Sequence, residues 1–389
     1  MIIRGIAAKL AEFARGYPIL AITGPRQSGK TTLARMVFPE KPYVNFEDPI
    51  QRGLFHSDPR GFLARFPDGG IFDEVQHCPE LMSYLQVMVD ADGRMGLFVL
   101  TGSHHIGIHG AVTQSLAGRV SMVELLPFSM SELQGALREP PGLDNAFYTG
   151  AYPPVIVRDV APWRWYTDYV TTYIQRDVRQ LLAVQNLDAF TTFVKLCAGH
   201  VGQLVNATNF AEACGVDAKT IKNWLSVLQA SYIVFLLRPH HENFKKRLVK
   251  SQKLYFYDTG LACSLLGLTD VSQLATHPFR GALMENWVVS ELLKARLQRG
   301  LLPNLFFWRN SSGLEVDILA EGPFGMMPIE IKSGQTLRPE YIKNLLAWCA
   351  LAGDRARKPA VVYGGSEDMT LLGVDVFSWK SIAKLGARI

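Results

Sequence analysis

The residues best suited to chemistry are Gly24-Pro25-Arg26-Gln27-Ser28-Gly29-Lys30-Thr31-Thr32, which contain a complete G-x-x-x-x-G-K-T spacing. Glycines at Gly24 and Gly29 let backbone N–H groups curl around a β-phosphate, Lys30 reaches the β- and γ-phosphate oxygens, and the Thr31 hydroxyl ligates Mg²⁺. Farther on, Gly70-Ile71-Phe72-Asp73-Glu74 ends in two consecutive carboxylates. Asp73 is suited to hold that Mg²⁺ through its water shell, and Glu74 to polarise the water that attacks a γ-phosphate. Two further residues carry two readings each. Ser103, at the end of the buried-type strand Leu97 to Ser103, bonds the attacking water or the γ-phosphate, or is a turn serine. Arg119, between apolar residues, reaches a γ-phosphate in its own site or a neighbour's, or makes a structural ion pair.

A second chemistry needs three carboxylates and a lysine. Glu285 lies in a helical stretch with Val288, Val289 and Leu292 three, four and seven residues on, so it shares the apolar stripe and must be paired, protonated or metal-bound. Leu314-Glu315-Val316-Asp317-Ile318 and Met327-Pro328-Ile329-Glu330-Ile331-Lys332 alternate as strands, placing Glu315 with Asp317 and Glu330 with Lys332. On adjacent antiparallel strands Asp317 and Glu330 meet around a divalent ion with Glu285, while Lys332 orients the attacking water or stabilises charge on a phosphate. A salt-bridged hairpin is the plainer alternative.

A third set is basic. Phe210 to Cys214, Gly215-Val216-Asp217 and Ala218 to Gln229 read as helix, tight turn, helix, with Ile221, Trp224, Leu225 and Leu228 buried and Lys219, Lys222, Asn223 and Ser226 outward. Such a helix presents its outer residues to a DNA major groove, and Lys245, Lys246, Arg247 and Lys250 between two strand-like runs add a basic wing for phosphates. Subunit contact or a solvated hairpin tip would use the same residues.

To position these residues, strands are expected at Ile19–Ile22, Tyr43–Phe46, Gly70–Glu74 and Leu97–Ser103, with helices over Ile6–Phe13 and from Thr31 to the stop at Pro39; Glu47-Asp48-Pro49 reads as a turn. The stretch from Pro127 to about Gly199 reads as helical. The 389 residues are 48% hydrophobic and 19% charged with a formal charge of +5, which implies several globular cores and permits an anionic partner. Five scattered cysteines without a C-x-x-C pair, and no membrane-length apolar run, give the expectation of a reduced cytoplasmic protein.

Gly-Pro-Arg-Gln-Ser-Gly-Lys-Thr-Thr at 24–32, Phe-Asp-Glu-Val-Gln at 72–76, Leu-Thr-Gly-Ser at 100–103 and Leu-Ala-Gly-Arg at 116–119 together resemble a prokaryotic AAA-type ATPase family whose members add a C-terminal domain of unknown function. The resemblance implies an AAA+ fold, ATP and Mg²⁺ as cofactors, and a homo-oligomer, with a ring among its forms. The helix-Glu, Asp, Glu-x-Lys order of Glu285, Asp317, Glu330 and Lys332 is similar to the PD-(D/E)XK nuclease superfamily. The expected α/β architecture is an AAA+ P-loop ATPase core over 1–127, a helical lid and linker over 128–200, a winged helix over 201–270 and a restriction-endonuclease-like domain over 271–389. The function expected is an ATPase that binds double-stranded or branched DNA and processes it, with metal-dependent cleavage. The alternative is a regulatory switch or protein-remodelling ATPase whose nuclease-like domain only binds.

Overall fold

The computed structural model describes residues 2–103, 116–136, 141–158, 160–174, 186–240, 251–311 and 313–389. It divides into two compact units: Met1–Phe128 with Ala230–Tyr232 and Leu297–Leu301, and Ser129–Gln229 with Ile233–Arg296 and Leu302–Ile389.

The first unit is built on a parallel sheet of order β2-β3-β4-β1-β5, comprising β1 (Ile19–Thr23), β2 (Tyr43–Asn45), β3 (Gly70–Asp73), β4 (Phe98–Gly102) and β5 (Val120–Glu124). Every residue of β1 and β4 is buried, because parallel strands at the centre of such a sheet are covered on both faces. Alternation then assigns the core: Ile19 and Ala21 face a cluster with Phe46, Phe55, Phe62, Phe72 and Phe98, while Leu20 and Ile22 face Ile6, Leu10, Leu33 and Val99. Several pairs in the phenylalanine cluster meet edge-on, as in Phe46–Phe55 at 6.0 Å and 82°, while Phe72 and Phe98 stack. The Asp48-Pro49 step, read from sequence as a turn, starts a helix over Pro49–Ser57, with Ile50 N donating to Asp48 Oδ1 at 2.9 Å. Asp58 and Pro59 repeat the device for Pro59–Ala64, a carboxylate cap followed by a residue that needs no N–H partner.

In the second unit, helices Leu187–Gly199, Ala207–Cys214 and Ala218–Ala230 pack through Phe190, Phe193, Phe210 and Trp224, with Phe190 and Trp224 edge-to-face at 5.4 Å. Gly215, at φ 65°, closes the first helix of the helix-turn-helix pair, and Asp217 accepts from Thr220 N at 2.8 Å to open the second. An eight-stranded sheet follows in the order β12-β13-β11-β10-β9-β8-β6-β7. Its strands are β6 (Val234–Pro239), β7 (Lys253–Phe256), β8 (Leu305–Arg309), β9 (Glu315–Gly322), β10 (Gly325–Lys332), β11 (Ala360–Tyr363), β12 (Met369–Leu371) and β13 (Val374–Ser378).

Strands β8, β9 and β10 are antiparallel neighbours, and β10 runs parallel to β11 after the helix Lys343–Ala352. The expected boundary between 201–270 and 271–389 does not separate two sheets. Strand β6 pairs with β8 through Arg238↔Phe306 and Pro239↔Phe307, so the wing-like strands extend the C-terminal sheet. A two-stranded ribbon is marginal alone, and all four residues of β7 are buried. The 128–200 stretch holds short helices, including Leu143–Thr149 and Pro162–Tyr169, and residues 175–185 lie outside the described set. Among the described residues no helix is long and apolar enough to cross a membrane.

Candidate functional sites

The phosphate loop leaves β1 and runs into the helix Lys30–Val37. Gly24 has φ 147°, and a Cβ there would lie 2.2 Å from Leu125 O, so only glycine fits. Gly29, at φ 94°, caps the helix. Lys30 is buried and donates to Gly24 O at 3.0 Å and Pro25 O at 2.7 Å, turned onto the loop's own carbonyls. Burial lowers its pKa to about 8, against the opposing pull of Glu74 and Asp73. The buried Ser28 hydroxyl has no hydrogen-bond partner among the described residues. Arg26 and Thr31 are half-buried, and Gln27 (φ 62°) and Thr32 are exposed.

Asp73 gathers donors from three elements: Thr31 Oγ1 at 2.8 Å, Tyr43 OH at 2.7 Å and Thr101 Oγ1. The Thr31–Asp73 bond joins the two side chains that would hold Mg²⁺, and the Ser28 hydroxyl together with the positive-φ glycines Gly24 and Gly29 fits a phosphate cradle. Glu74 stands at φ 54° just past the end of β3, and its Oε2 accepts from Gln76 and, at 3.3 Å, from Ser103 Oγ. Ser103 thus meets Glu74 at the carboxyl ends of neighbouring strands.

Arg119 differs. It precedes β5, whose Val120 pairs with Ile19 at the start of β1, so it sits at the end of the sheet away from the phosphate loop. Its guanidinium grips both oxygens of Asp90 at 2.5 and 2.8 Å. The reading of Arg119 at its own γ-phosphate is therefore corrected, because the strand direction points it elsewhere. Three supporting residues went unread in the sequence. Arg4 donates to Ser28 O at 2.8 Å and Leu126 O at 2.6 Å, Tyr43 donates to Asp73, and Tyr232 donates to Thr23 Oγ1 at 2.8 Å. Only Arg4, a charge beside the apolar face of a helix, left a sequence signal.

In the second unit a cavity of about 690 Å³ is lined by Gly202, Lys253, Glu285, Glu315, Asp317 and Glu330 among others. Glu285 comes from the helix Arg280–Gln298, Asp317 from β9 and Glu330 from β10. Asp317 Oδ2 accepts from Ile331 N at 2.9 Å, and burial, then Glu285 and Glu330, push its carboxyl well above the usual range. Burial also raises Glu330, whose Oε1 accepts from Lys332 Nζ at 2.6 Å while its buried Oε2 has no partner among the described residues. Lys332 is held up by Asp317 and Glu330 against desolvation. The orphaned oxygen and the charge of the donor set fit a divalent ion.

The carboxylates are nonetheless held apart. Among the described residues, one group of three offers ligand atoms all within 4.8 Å, and it is His56, Cys78 and Glu80 rather than Glu285, Asp317 and Glu330. The reason is that lysines take them: Lys332 takes Glu330, and Lys253 lies 3.0 Å from Glu285 Oε1 and 2.8 Å from Glu315 Oε1. Lys253, which lines this cavity, and Tyr255, which donates to Glu285 Oε1, were missed, although a lysine alternating with a tyrosine in an otherwise apolar strand signals a polar object on that face.

Lys219, Lys222 and Asn223 are exposed on the helix Ala218–Ala230 as expected, and Lys245, Lys246 and Arg247 lie outside the described residues. A groove of about 950 Å³ beside that helix is lined by Asn206, Lys222, Ser226, Gln229, Arg238 and Gln252 among others.

A family model described as an AAA domain matches residues 16–134. Two described as domains of unknown function, DUF8612 and DUF4143, match 141–272 and 280–382. The uncharacterized proteins Rv2008c of Mycobacterium tuberculosis and Mb2031c of Mycobacterium bovis are each 31% identical over 378 residues, which is 95% of this chain and 81% of theirs. Among solved structures, the Walker-type ATPase PABY2304 of Pyrococcus abyssi aligns with a TM-score of 0.46 at 16% identity, over 67% of this chain and 94% of that one. The RuvB Holliday junction branch migration motor of Thermotoga maritima aligns at 0.34 and 17%, over 61% and 90%.

Proposed function

The chain belongs to the same family as these uncharacterized mycobacterial proteins, with an AAA-type ATPase domain at residues 16–134, and from that premise we propose that it binds and hydrolyses ATP and couples turnover to DNA. The observation that carries the ATPase reading is the Thr31–Asp73 hydrogen bond beside a buried Lys30 in a loop that only glycine can form. Lys30 and the loop amides bind the phosphates, Thr31 and Asp73 hold Mg²⁺, and Glu74 with Ser103 orients the attacking water. Arg119 serves a neighbouring subunit in a homo-oligomer, where it exchanges Asp90 for a γ-phosphate.

DNA, double-stranded or branched, is bound by Lys219, Lys222 and Asn223 with the wing residues Lys245, Lys246 and Arg247. Glu285, Asp317 and Glu330 hold a divalent ion in the second unit, which when bound supplies Lewis-acid activation of water for phosphodiester cleavage. Lys332 stabilises charge on the phosphate. A second reading is favoured by one observation: the lysine cross-links that keep the carboxylates apart suit a domain that binds and does not cut.

The experiment is ATP hydrolysis by the pure chain with Mg²⁺, with and without duplex, forked and junction DNA, alongside Lys30→Ala and Asp317→Asn. Lys30→Ala is expected to abolish turnover and Asp317→Asn to spare it while abolishing any DNA cleavage. Absence of adenine-nucleotide binding overturns the ATPase reading; DNA that neither binds nor stimulates turnover favours an ATPase acting on a protein. Intact DNA with Mg²⁺ or Mn²⁺ leaves the binding-only reading standing.

A further inference from the structure

The acidic cavity of the second unit already contains a cation. Lys253 enters from β7, is 4% exposed, and bridges Glu285 Oε1 and Glu315 Oε1 with the Phe307 ring 5.5 Å from its ammonium. Tyr255, on the same face of the strand, donates to the same Glu285 oxygen. Across the cavity Glu330 Oε2 is buried and has no partner among the described residues. Gly202, at φ 73°, leaves open the far side of Glu285, where a Cβ would lie 3.3 Å from Oε2. Against the carboxylates of Glu285, Glu315, Asp317 and Glu330 stand two buried or half-buried ammonium groups, Lys253 and Lys332, while Arg309 reaches Glu315 only at 3.6 Å from an exposed position. Among the described residues the carboxylates of this cavity outnumber the cations that face them.

Resting on the reading of Glu285, Asp317 and Glu330 as a divalent site, we propose that Lys253 is a displaceable counter-ion whose ammonium competes with the metal for Glu285, and that a nucleic-acid phosphate, by drawing off the ammonium, strengthens metal binding. The four-carbon stem lets the ammonium swing while the backbone stays in the sheet. A phosphate source is adjacent: Leu204 lines both this cavity and the groove of Lys222 and Arg238, and Gln252, next to Lys253, lines that groove. Val205 N donates to Gln252 O at 2.8 Å and Leu254 N to Gln203 O at 3.0 Å, so one short strip of paired backbone separates the two. Lys253 is thus a positioning residue, and linkage requires that metal tighten nucleic-acid binding by the factor by which nucleic acid tightens metal binding.

The test is Mn²⁺ binding to the nucleotide-free full chain, followed by calorimetry and by the electron paramagnetic resonance of free Mn²⁺, with and without a short DNA duplex. Asp317→Asn serves as the baseline for ions held elsewhere or by the DNA. Lys253→Met is expected to bind Mn²⁺ about tenfold or more tightly than wild type without DNA, with no further gain on adding duplex, and Lys253→Arg to behave as wild type. Duplex is expected to tighten Mn²⁺ several-fold in wild type. If duplex leaves wild-type Mn²⁺ affinity unchanged, the proposal is overturned whether or not Lys253→Met folds. A folded Lys253→Met with wild-type or weaker affinity overturns it too, while Mn²⁺ uptake lost in Asp317→Asn keeps the metal site. No uptake by any of these proteins overturns the metal site itself and the proposal with it.

Discussion

Lys30 is the residue whose state is most exposed to measurement. Burial lowers its pKa from 10.5 to about 8 in the folded chain. Below pH 8 both folded and unfolded forms carry the proton, and the buried charge opposes folding in full. Between about pH 8 and 10.5 the unfolded chain binds the proton and the folded chain does not, so stability of the nucleotide-free protein rises with pH across that window. The rise attributable to Lys30 has an upper bound of about 3 kcal/mol, and chemical denaturation of wild type against Lys30→Met is expected to show it only in wild type. Nucleotide reverses the sign: phosphates restore the charged lysine, so ADP affinity should fall as pH climbs past 8, read by calorimetry in buffers of different ionisation enthalpy.

Arg4 gives a second prediction at this scale. Its buried guanidinium ties Ser28 O to Leu126 O and lies 4.7 Å over the Phe128 ring. Arg4→Met should weaken ADP binding about tenfold through a looser loop, near the value of one charge-assisted hydrogen bond. An unchanged affinity would remove Arg4 from the site's support. At this scale the glycines, Lys30, Thr31, Asp73 and Glu74 were legible because a phosphate demands their types at fixed spacing, whereas Tyr43 and Tyr232 arrive from distant sequence positions and carry no local pattern.

Elements were legible where burial writes a period. The fully buried strands Ile19–Thr23 and Phe98–Gly102 read as apolar runs, and the helix Ala218–Ala230 buries Ile221, Trp224, Leu225 and Leu228 as its spacing requires. The edge strand Val120–Glu124, with only Val123 fully buried, has no such period, and Asp48-Pro49 signals a helix cap as readily as a turn. Pairing across a sheet was the harder matter. That β6 joins β8 depends on two residue pairs far apart in sequence, and no composition shift marks them. The exposed face of Ala218–Ala230 carries its own prediction. If it meets DNA, Lys219→Ala and Lys222→Ala each weaken binding by a similar factor on unrelated sequences and reduce the salt slope by about one, because a lysine there contacts phosphate. Asn223→Ala should alter sequence preference more than salt dependence. Equal binding by all three variants in fluorescence anisotropy would move the interface off this helix.

At the scale of the whole molecule, the order of the chain is not the order of its units. The chain leaves the first unit at Phe128 and returns to it twice, at Ala230–Tyr232 and at Leu297–Leu301. Both returns make specific contacts there: the buried Tyr232 bonds Thr23 one residue before the phosphate loop, and Gly300 lies against the Phe13 ring, where a Cβ would come within 2.7 Å. Tyr232 holds φ 57°, a conformation costly to a non-glycine residue and one that the surrounding structure must hold in place. An ATPase fragment cut at Phe128 therefore lacks part of its own core, although the family match ends near that point, at residue 134. The fragment 1–128 is expected to melt well below the corresponding transition of the full chain and to bind ADP at least tenfold more weakly. The loss of one buried aromatic alone removes about 3 kcal/mol or more. Tyr232→Phe in the full chain separates the two contributions, since it keeps the packing and deletes the bond to Thr23, and should cost about 1 kcal/mol. A fragment that melts and binds ADP like the intact protein would show that the returning segments are passengers.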